Sequence, residues 1–443
     1  MSAAALLAGI AIAALATGAG AFVIGLSAGR GRSLEETLGW SWAAGMLLLA
    51  AVYAALLAAG ARPGPKKLVP ILVIAAIGAF LRRRPRRRGA RERDLLATLL
   101  AAAAAAGCVA YALQALAEPL WSTDFLAIWG LKGKTIYFTG AIPGRIFHDP
   151  ATVWSHPEYP LFVPLAMAAF SAATGSWNDE TLGLLYAAWQ VATVLVVLGY
   201  GRRRGSVRAG AAAAALVAWF HPLYRGFGVG LADVPFALTA VLLATAAADR
   251  DPVGAGVAAL IASATKQEGL LLSILAASLL LLFGTSEDRL ARRRVAAIVA
   301  ATAGMHFLLL RSLRGPIANR DFTFAPLAHA ADLAARIGRL LPALAGSMTF
   351  ALLVGIAAAA AVFLAGRRSR EDVLLAALAL QVAAYLAACV LSAYDPIWQL
   401  QGFFRTSGAL VPAAALLLAA RVGRSADTST DTGAFNPRRS ATY

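Results

Sequence analysis

Apolar residues fill this chain in long blocks, and short arginine-rich clusters separate the blocks. Apolar runs lie at 3–28, 40–60, 68–81, 95–117, 182–200, 209–224, 233–248, 253–265, 268–284, 295–311, 341–365, 373–391 and 404–421. Uninterrupted runs of this kind predict helices that satisfy their own backbone hydrogen bonds in lipid. The expected fold is therefore all-α: a polytopic transmembrane helical bundle of about 13 spans, or about 12 if the short run 68–81, which contains Pro70, is interfacial. One further apolar run, 161–175, is assigned differently. If it crossed, the basic cluster 201–208 would share a side with the long loop 118–160, which the cluster 82–93 places opposite. The run is expected to enter without crossing, as a juxtamembrane or re-entrant helix braced by protein.

Composition agrees with that pattern. Sixty per cent of the 443 residues are hydrophobic (60%), 14% are charged, and the mean hydropathy is +0.69. The isoelectric point near 10.7 would suit a nucleic-acid binder, but the basic residues occur in interhelical clusters: RRRPRRRGARER (82–93), GRRRGSVR (201–208), RLARRR (289–294) and RRSR (367–370). Placed on the span order, most of the 40 lysines and arginines fall on one side, as the positive-inside rule requires. They indicate topology and contact with anionic membrane lipids, and no nucleic-acid partner. Cys108 and Cys389 both sit in apolar runs, which argues against a disulfide or metal framework. The first apolar run lacks a basic leader and reads as a retained span. The polar end 422–443 reads as a disordered cytoplasmic tail.

The notable polar residues gather on the other, outer side. Loop 118–160 carries Asp124, Lys132, Lys134, Arg145, His148, Asp149, His156 and Glu158; the next outer turn carries Arg225 and leads to Asp233; ATKQEGLL (264–271) carries Lys266 and Glu268. Further along come Arg314, Arg320, Asp321 and His329, then Tyr394, Asp395, Trp398 and Arg405. Charges at the membrane edge are costly and mark candidate functional positions. Blander roles exist for several. Lys132 and Lys134 suit snorkelling to headgroups, Arg225, Arg320 and Arg405 suit lipid phosphate, and Asp395 before Pro396 suits a turn. His221 before a proline suits a structural role, and Trp121, Trp129, Trp154 and Trp398 fit an interfacial belt as well as a sugar platform.

The order of three segments resembles the GT-C superfamily of membrane glycosyltransferases. These are an outer Asp124 in an aromatic loop, His156-Pro157-Glu158-Tyr159-Pro160 opening a non-crossing helix, and Arg225 followed by Leu231-Ala232-Asp233-Val234-Pro235. The likeness is to the polyprenyl-phosphate-dependent group, which includes protein O-mannosyltransferases and the aminoarabinose transferase of lipid A. ATKQEGLL is similar to a lysine-bearing turn seen later in that group. The likeness covers roughly 95–311, with 1–94 as additional N-terminal spans and 312–421 as C-terminal helices and outer loops. The module includes the outer loop 118–181. Two departures stand out: Asp124 is followed by Phe125 rather than a second acid, and Glu158 stands where relatives often have proline.

The resemblance implies inverting transfer of a sugar from a polyprenyl-phosphate donor to a lipid, polysaccharide or protein acceptor of the cell envelope. The implied setting is the outer face of a bacterial plasma membrane. Asp124 would be the catalytic base. Lys132, Arg225, Asp233, Lys266, Glu268 and Arg405 would serve the donor and its phosphate, where arginine offers a two-pronged contact. His156, Glu158 and Asp233 would orient groups or hold a divalent Mg or Mn ion. The alternatives are a secondary transporter, which should show repeats and broken midplane helices, or a non-catalytic lipid-binding membrane protein.

Overall fold

The computed structural model describes residues 2–26, 31–81, 94–117, 120, 122–144, 156–223, 229–283, 289–314, 323–345 and 369–430. Helix makes up 85% of these and no strand occurs among them. The helices are α1 (Ala3–Leu26), α2 (Leu34–Ala58), α3 (Pro65–Leu81), α4 (Leu95–Ala117), a π-helical turn (Phe125–Trp129) running into α5 (Gly130–Thr139), α6 (Phe162–Thr174), α7 (Asp179–Arg204), α8 (Val207–Leu223), α9 (Asp233–Ala248), α10 (Pro252–Thr265), α11 (Gln267–Leu282), α12 (Arg289–Arg314), α13 (Ala325–Ala328), α14 (Ala330–Ala345), α15 (Arg370–Val390), α16 (Pro396–Gly408) and α17 (Val411–Thr430).

Six of these helices, α1, α2, α4, α7, α12 and α15, are long and apolar enough to cross a membrane. A seventh crossing arises if α16 and α17, bent by 42°, form one. The chain is thus an all-helical, membrane-embedded protein. The expected count of thirteen exceeds the number of full-length spans because four of the runs counted as crossings form α8, α9, α10 and α11, which are apolar but short. At 1.5 Å per residue, helices of 13 to 17 residues rise only about 20–25 Å, against about 30 Å for the hydrocarbon core. Run 68–81 lies within the 17-residue α3, with Pro70 in its first turns. Most of run 341–365 lies outside the described residues. At the C-terminal end, α17 continues as helix to Thr430, into the stretch expected to be unstructured; the segment Arg424–Thr430 contains neither Gly nor Pro to stop it.

Helix α9 is the centre of the bundle. All of its residues are buried, and it packs on α7, α10, α11, α15 and α17. Helices α1 to α3 pack on the rest of the bundle: α2 packs along α7, and α1, α2 and α3 all touch α6. Run 161–175 forms the 13-residue α6, buried almost throughout, so its backbone is screened by protein.

Ion pairs hold one end of the bundle. Arg203 donates to Glu36 (2.7 Å) and to Asp249 (2.5 Å), Arg202 to Glu35 (3.2 Å), Arg204 to Asp249 (2.5 Å) and Arg32 to Asp251 (2.5 Å). Ser33 caps α2, and Glu36 closes the reciprocal capping box on the Ser33 amide. The basic cluster 201–208 is therefore tied to the start of α2 and to the α9–α10 turn. Asp249 follows the last residue of α9, while Asp233 is its first. The two charged ends of α9 are separated by about 24 Å of apolar helix.

Candidate functional site

At the Asp233 end of α9, four separate segments meet. Asp124 precedes the π-helical turn that continues into α5. Single π-turns inside α-helices are frequent at functional sites. Phe125 at the head of the turn packs against Gly130 and Gly230. Gly230 has φ of +99°, and a Cβ there would lie 2.9 Å from the Phe125 side chain, so this position suits glycine on both counts. Asp233 occupies the first turn of α9, where the helix dipole favours a carboxylate. Lys266 is the extended residue between α10 and α11, and Glu268 lies in the first turn of α11. Arg405 comes from α16.

Their charges form one chain. Arg405 Nη2 lies 2.6 Å from Asp124 Oδ2, and its Nε lies 3.1 Å from Asp233 Oδ2, an ion-pair approach without hydrogen-bond alignment. Lys266 Nζ donates to Asp233 Oδ1 at 2.8 Å and lies 3.0 Å from Glu268 Oε1. Asp233 and Lys266 are almost wholly buried, with side chains 2% and 5% exposed, whereas Asp124 and Arg405 are each 27% exposed. The α10–α11 hairpin holds Lys266 in place because its helices come very close: a Cβ on Gly269 would lie 2.0 Å from the Ala262 carbonyl oxygen. Gln381 of α15 donates to the Glu268 carbonyl (2.7 Å) and to Tyr385 (2.7 Å).

A second group abuts the first. Lys132, buried at 1% exposure, donates to the His156 carbonyl at 2.6 Å. His156 has φ of +48°, an uncommon backbone for a non-glycine residue. Its Nδ1 lies 2.8 Å from Glu158 Oε1, and its ring stacks on Tyr159, which also stacks on Trp129. Burial raises the Glu158 carboxyl, but the His156 hydrogen bond, a backbone hydrogen bond and the charge of Lys132 outweigh it and hold the group below its ordinary value. Gln267 reaches the Glu158 carbonyl at 3.4 Å, joining this loop to the Lys266 turn.

No family model, curated protein or solved structure matches this chain.

Of the residues singled out from sequence, the structure gathers Asp124, Asp233, Lys266, Glu268 and Arg405 into one cluster. Lys132, His156 and Glu158 form the adjoining loop clamp, with Lys132 bracing the loop backbone. Arg225 lies outside the described residues, as do Trp121, Arg145, His148, Asp149, Trp154, Arg320 and Asp321. His156 and Glu158 face each other, both Asp233 oxygens face cations, and no group of three or more potential metal ligands is gathered among the described residues. Trp129 is buried in the ring stack, whereas Trp398 is exposed beside Tyr394. Asp395 caps α16 through the Ile397 amide (2.8 Å), with Pro396 at the first helical position, and pairs with Arg339. Lys134 pairs with Asp179 (3.4 Å). Sequence reasoning did not identify Gln381, Tyr385, Tyr159 or the π-turn; the one available signal was Tyr159 within HPEYP, since uncharged polar residues inside apolar helices carry no distinguishing pattern.

Proposed function

We propose that this protein is an integral membrane glycosyltransferase of the GT-C type. It transfers a hexosyl or pentosyl group from a polyprenyl-phosphate donor to a cell-envelope acceptor, with inversion, at the outer face of a bacterial plasma membrane. The observation that carries the reading is the Asp124–Arg405–Asp233–Lys266 chain: a partly exposed carboxylate, Asp124, on an arginine that also meets the buried Asp233–Lys266 pair, at one end of an apolar bundle. A lipid-borne phosphate reaches such a site laterally, and the acceptor reaches it from water.

In the proposed reaction, an Asp124 oxygen accepts the proton of the acceptor hydroxyl. The acceptor oxygen forms a bond to the anomeric carbon from the face opposite the phosphate. The bond from that carbon to the phosphate oxygen breaks, and its electron pair leaves with polyprenyl phosphate. Arg405 and Lys266 face the negative charge that develops there, an electrostatic role for preorganised cations. Asp233 and Glu268 hold Lys266 between them, so that this cation needs little reorganisation.

The test is transfer by the purified chain in nanodiscs from a panel of radiolabelled polyprenyl-phosphate sugars, with membrane extract as acceptor. Asp124→Asn should lower the rate by about 10²–10⁴-fold while the protein stays monodisperse. Absence of transfer from every donor, or equal transfer by the two proteins, would refute the assignment.

A further inference from the structure

Arg405 presents one guanidinium edge, Nε and Nη2, to two carboxylates at once. Their environments differ. Asp233 is closed off from solvent and has Lys266 as a second partner, while Asp124 is 27% exposed and lies on the open side of Arg405. An anion arriving from outside therefore meets Arg405 on the side that Asp124 occupies. The cluster Asp124, Asp233, Glu268, Lys266 and Arg405 carries three carboxylates against two cations, so a phosphate placed beside an ionised Asp124 meets a like charge as well as a cation.

We infer that the donor's phosphodiester competes with Asp124 for Arg405, so that donor binding releases Asp124 from its ion pair. This deepens the proposed transfer and rests on it. Held by Arg405, Asp124 has its Oδ2 engaged by the guanidinium Nη2; with Arg405 drawn onto phosphate, that oxygen is free to accept the acceptor's proton. The arrangement makes the base competent when a donor is present and orders binding, donor before acceptor. Asp233 stays on Lys266 throughout and keeps the second cation in place.

The experiment measures binding of radiolabelled polyprenyl phosphate, which lacks a sugar and cannot react, to the full chain in nanodiscs of zwitterionic lipid. The proteins are wild type, Asp124→Asn, Asp124→Ser and Arg405→Gln, with Arg405→Gln also combined with Asp124→Asn. The two Asp124 variants should bind roughly tenfold more tightly than wild type, the scale of one charge-assisted hydrogen bond released. Arg405→Gln should bind more weakly, and Asp124→Asn should bring no gain in its background. Monodisperse Asp124 variants that bind equally or more weakly would overturn the competition, while measurable wild-type binding would leave the transfer reading standing. Wild-type binding no stronger than that of polyprenol without phosphate would overturn both. Equal displacement by phosphatidylglycerol or by inorganic phosphate would mark a generic anion contact and overturn the assignment to the donor.

Discussion

Replacing Lys266 with methionine isolates the electrostatics of the site from its chemistry. Methionine keeps the length and apolar stem of lysine and removes the charge. Asp233, 2% exposed, then loses its 2.8 Å hydrogen bond and keeps Arg405 Nε at 3.1 Å. Stranding a buried charge costs about 3–5 kcal/mol. Glu268, 24% exposed, turns to water and adds about 0–1 kcal/mol. Protonation sets a ceiling: neutralising an ordinary aspartate at pH 7 costs about 4 kcal/mol, and Asp233 can take that route rather than remain stranded. With Arg405 still in contact, the expected loss is about 3 kcal/mol. Reversible unfolding in mixed micelles, titrated with sodium dodecyl sulfate, reads it. Adding Asp233→Asn to Lys266→Met should recover much of the loss, giving a coupling of about 2–3 kcal/mol, within the range found for residues in one charged network. A single variant within about 0.5 kcal/mol of wild type, or a double variant equal to the sum of the singles, would refute the view that Lys266 exists to hold Asp233 charged.

Gly269→Ala should separate α10 from α11 and cost about 1–3 kcal/mol in the same unfolding assay, because the new Cβ meets the Ala262 carbonyl; a neutral result would show that the hairpin has slack. Lys132→Met should speed proteolytic cleavage within 156–160, since the His156 carbonyl loses its buried donor; an unchanged cleavage rate would mean that the ring stack alone holds the loop. The Glu158 carboxyl is held below its ordinary value, so its contribution is complete above the unfolded carboxylate range and is lost as pH falls through the folded value. Cleavage of the same loop should therefore stay flat from neutral pH down to about 4.5 and rise below it, and Glu158→Gln should remove that rise. In a protein whose Cys108 and Cys389 are replaced by alanine, an impermeant maleimide applied to intact cells should label His329→Cys and spare Arg204→Cys. Labelling of both, or of Arg204→Cys alone, would contradict the proposed orientation.

Helix positions were readable from the sequence wherever apolar blocks were bounded by charge: run 182–200 lies inside α7, which extends to Arg204, and run 233–248 matches α9. Run 161–175 was readable as a helix, Phe162–Thr174, in the same way. Span number was less legible, because apolar runs identify helices that avoid water and do not separate a full crossing from a short helix buried by its neighbours, such as α9 or α10. The cluster was legible as a set of charges at helix starts and turns, Asp124, Asp233, Lys266, Glu268 and Arg405, and not as a wiring. That one arginine would serve both Asp124 and Asp233, or that Arg203 would join Glu36, 167 positions away, to Asp249, 46 positions away, depends on contacts between distant parts of the chain, where no local pattern reaches.

Helix α9 also sets a length. Sixteen residues rise about 24 Å, while an unperturbed hydrocarbon core is about 30 Å thick, so a flat bilayer would bury one charged end by about 6 Å. The neighbouring full-length helices α7 and α15 prevent the whole protein from settling to that shorter measure. A helix of that length, buried among longer neighbours, sets its Asp233 end back from theirs. Under the proposed transfer, a headgroup carried on a long hydrocarbon chain reaches such a recess while its tail stays in oil; a free sugar nucleotide, with no tail, has nothing to hold it there.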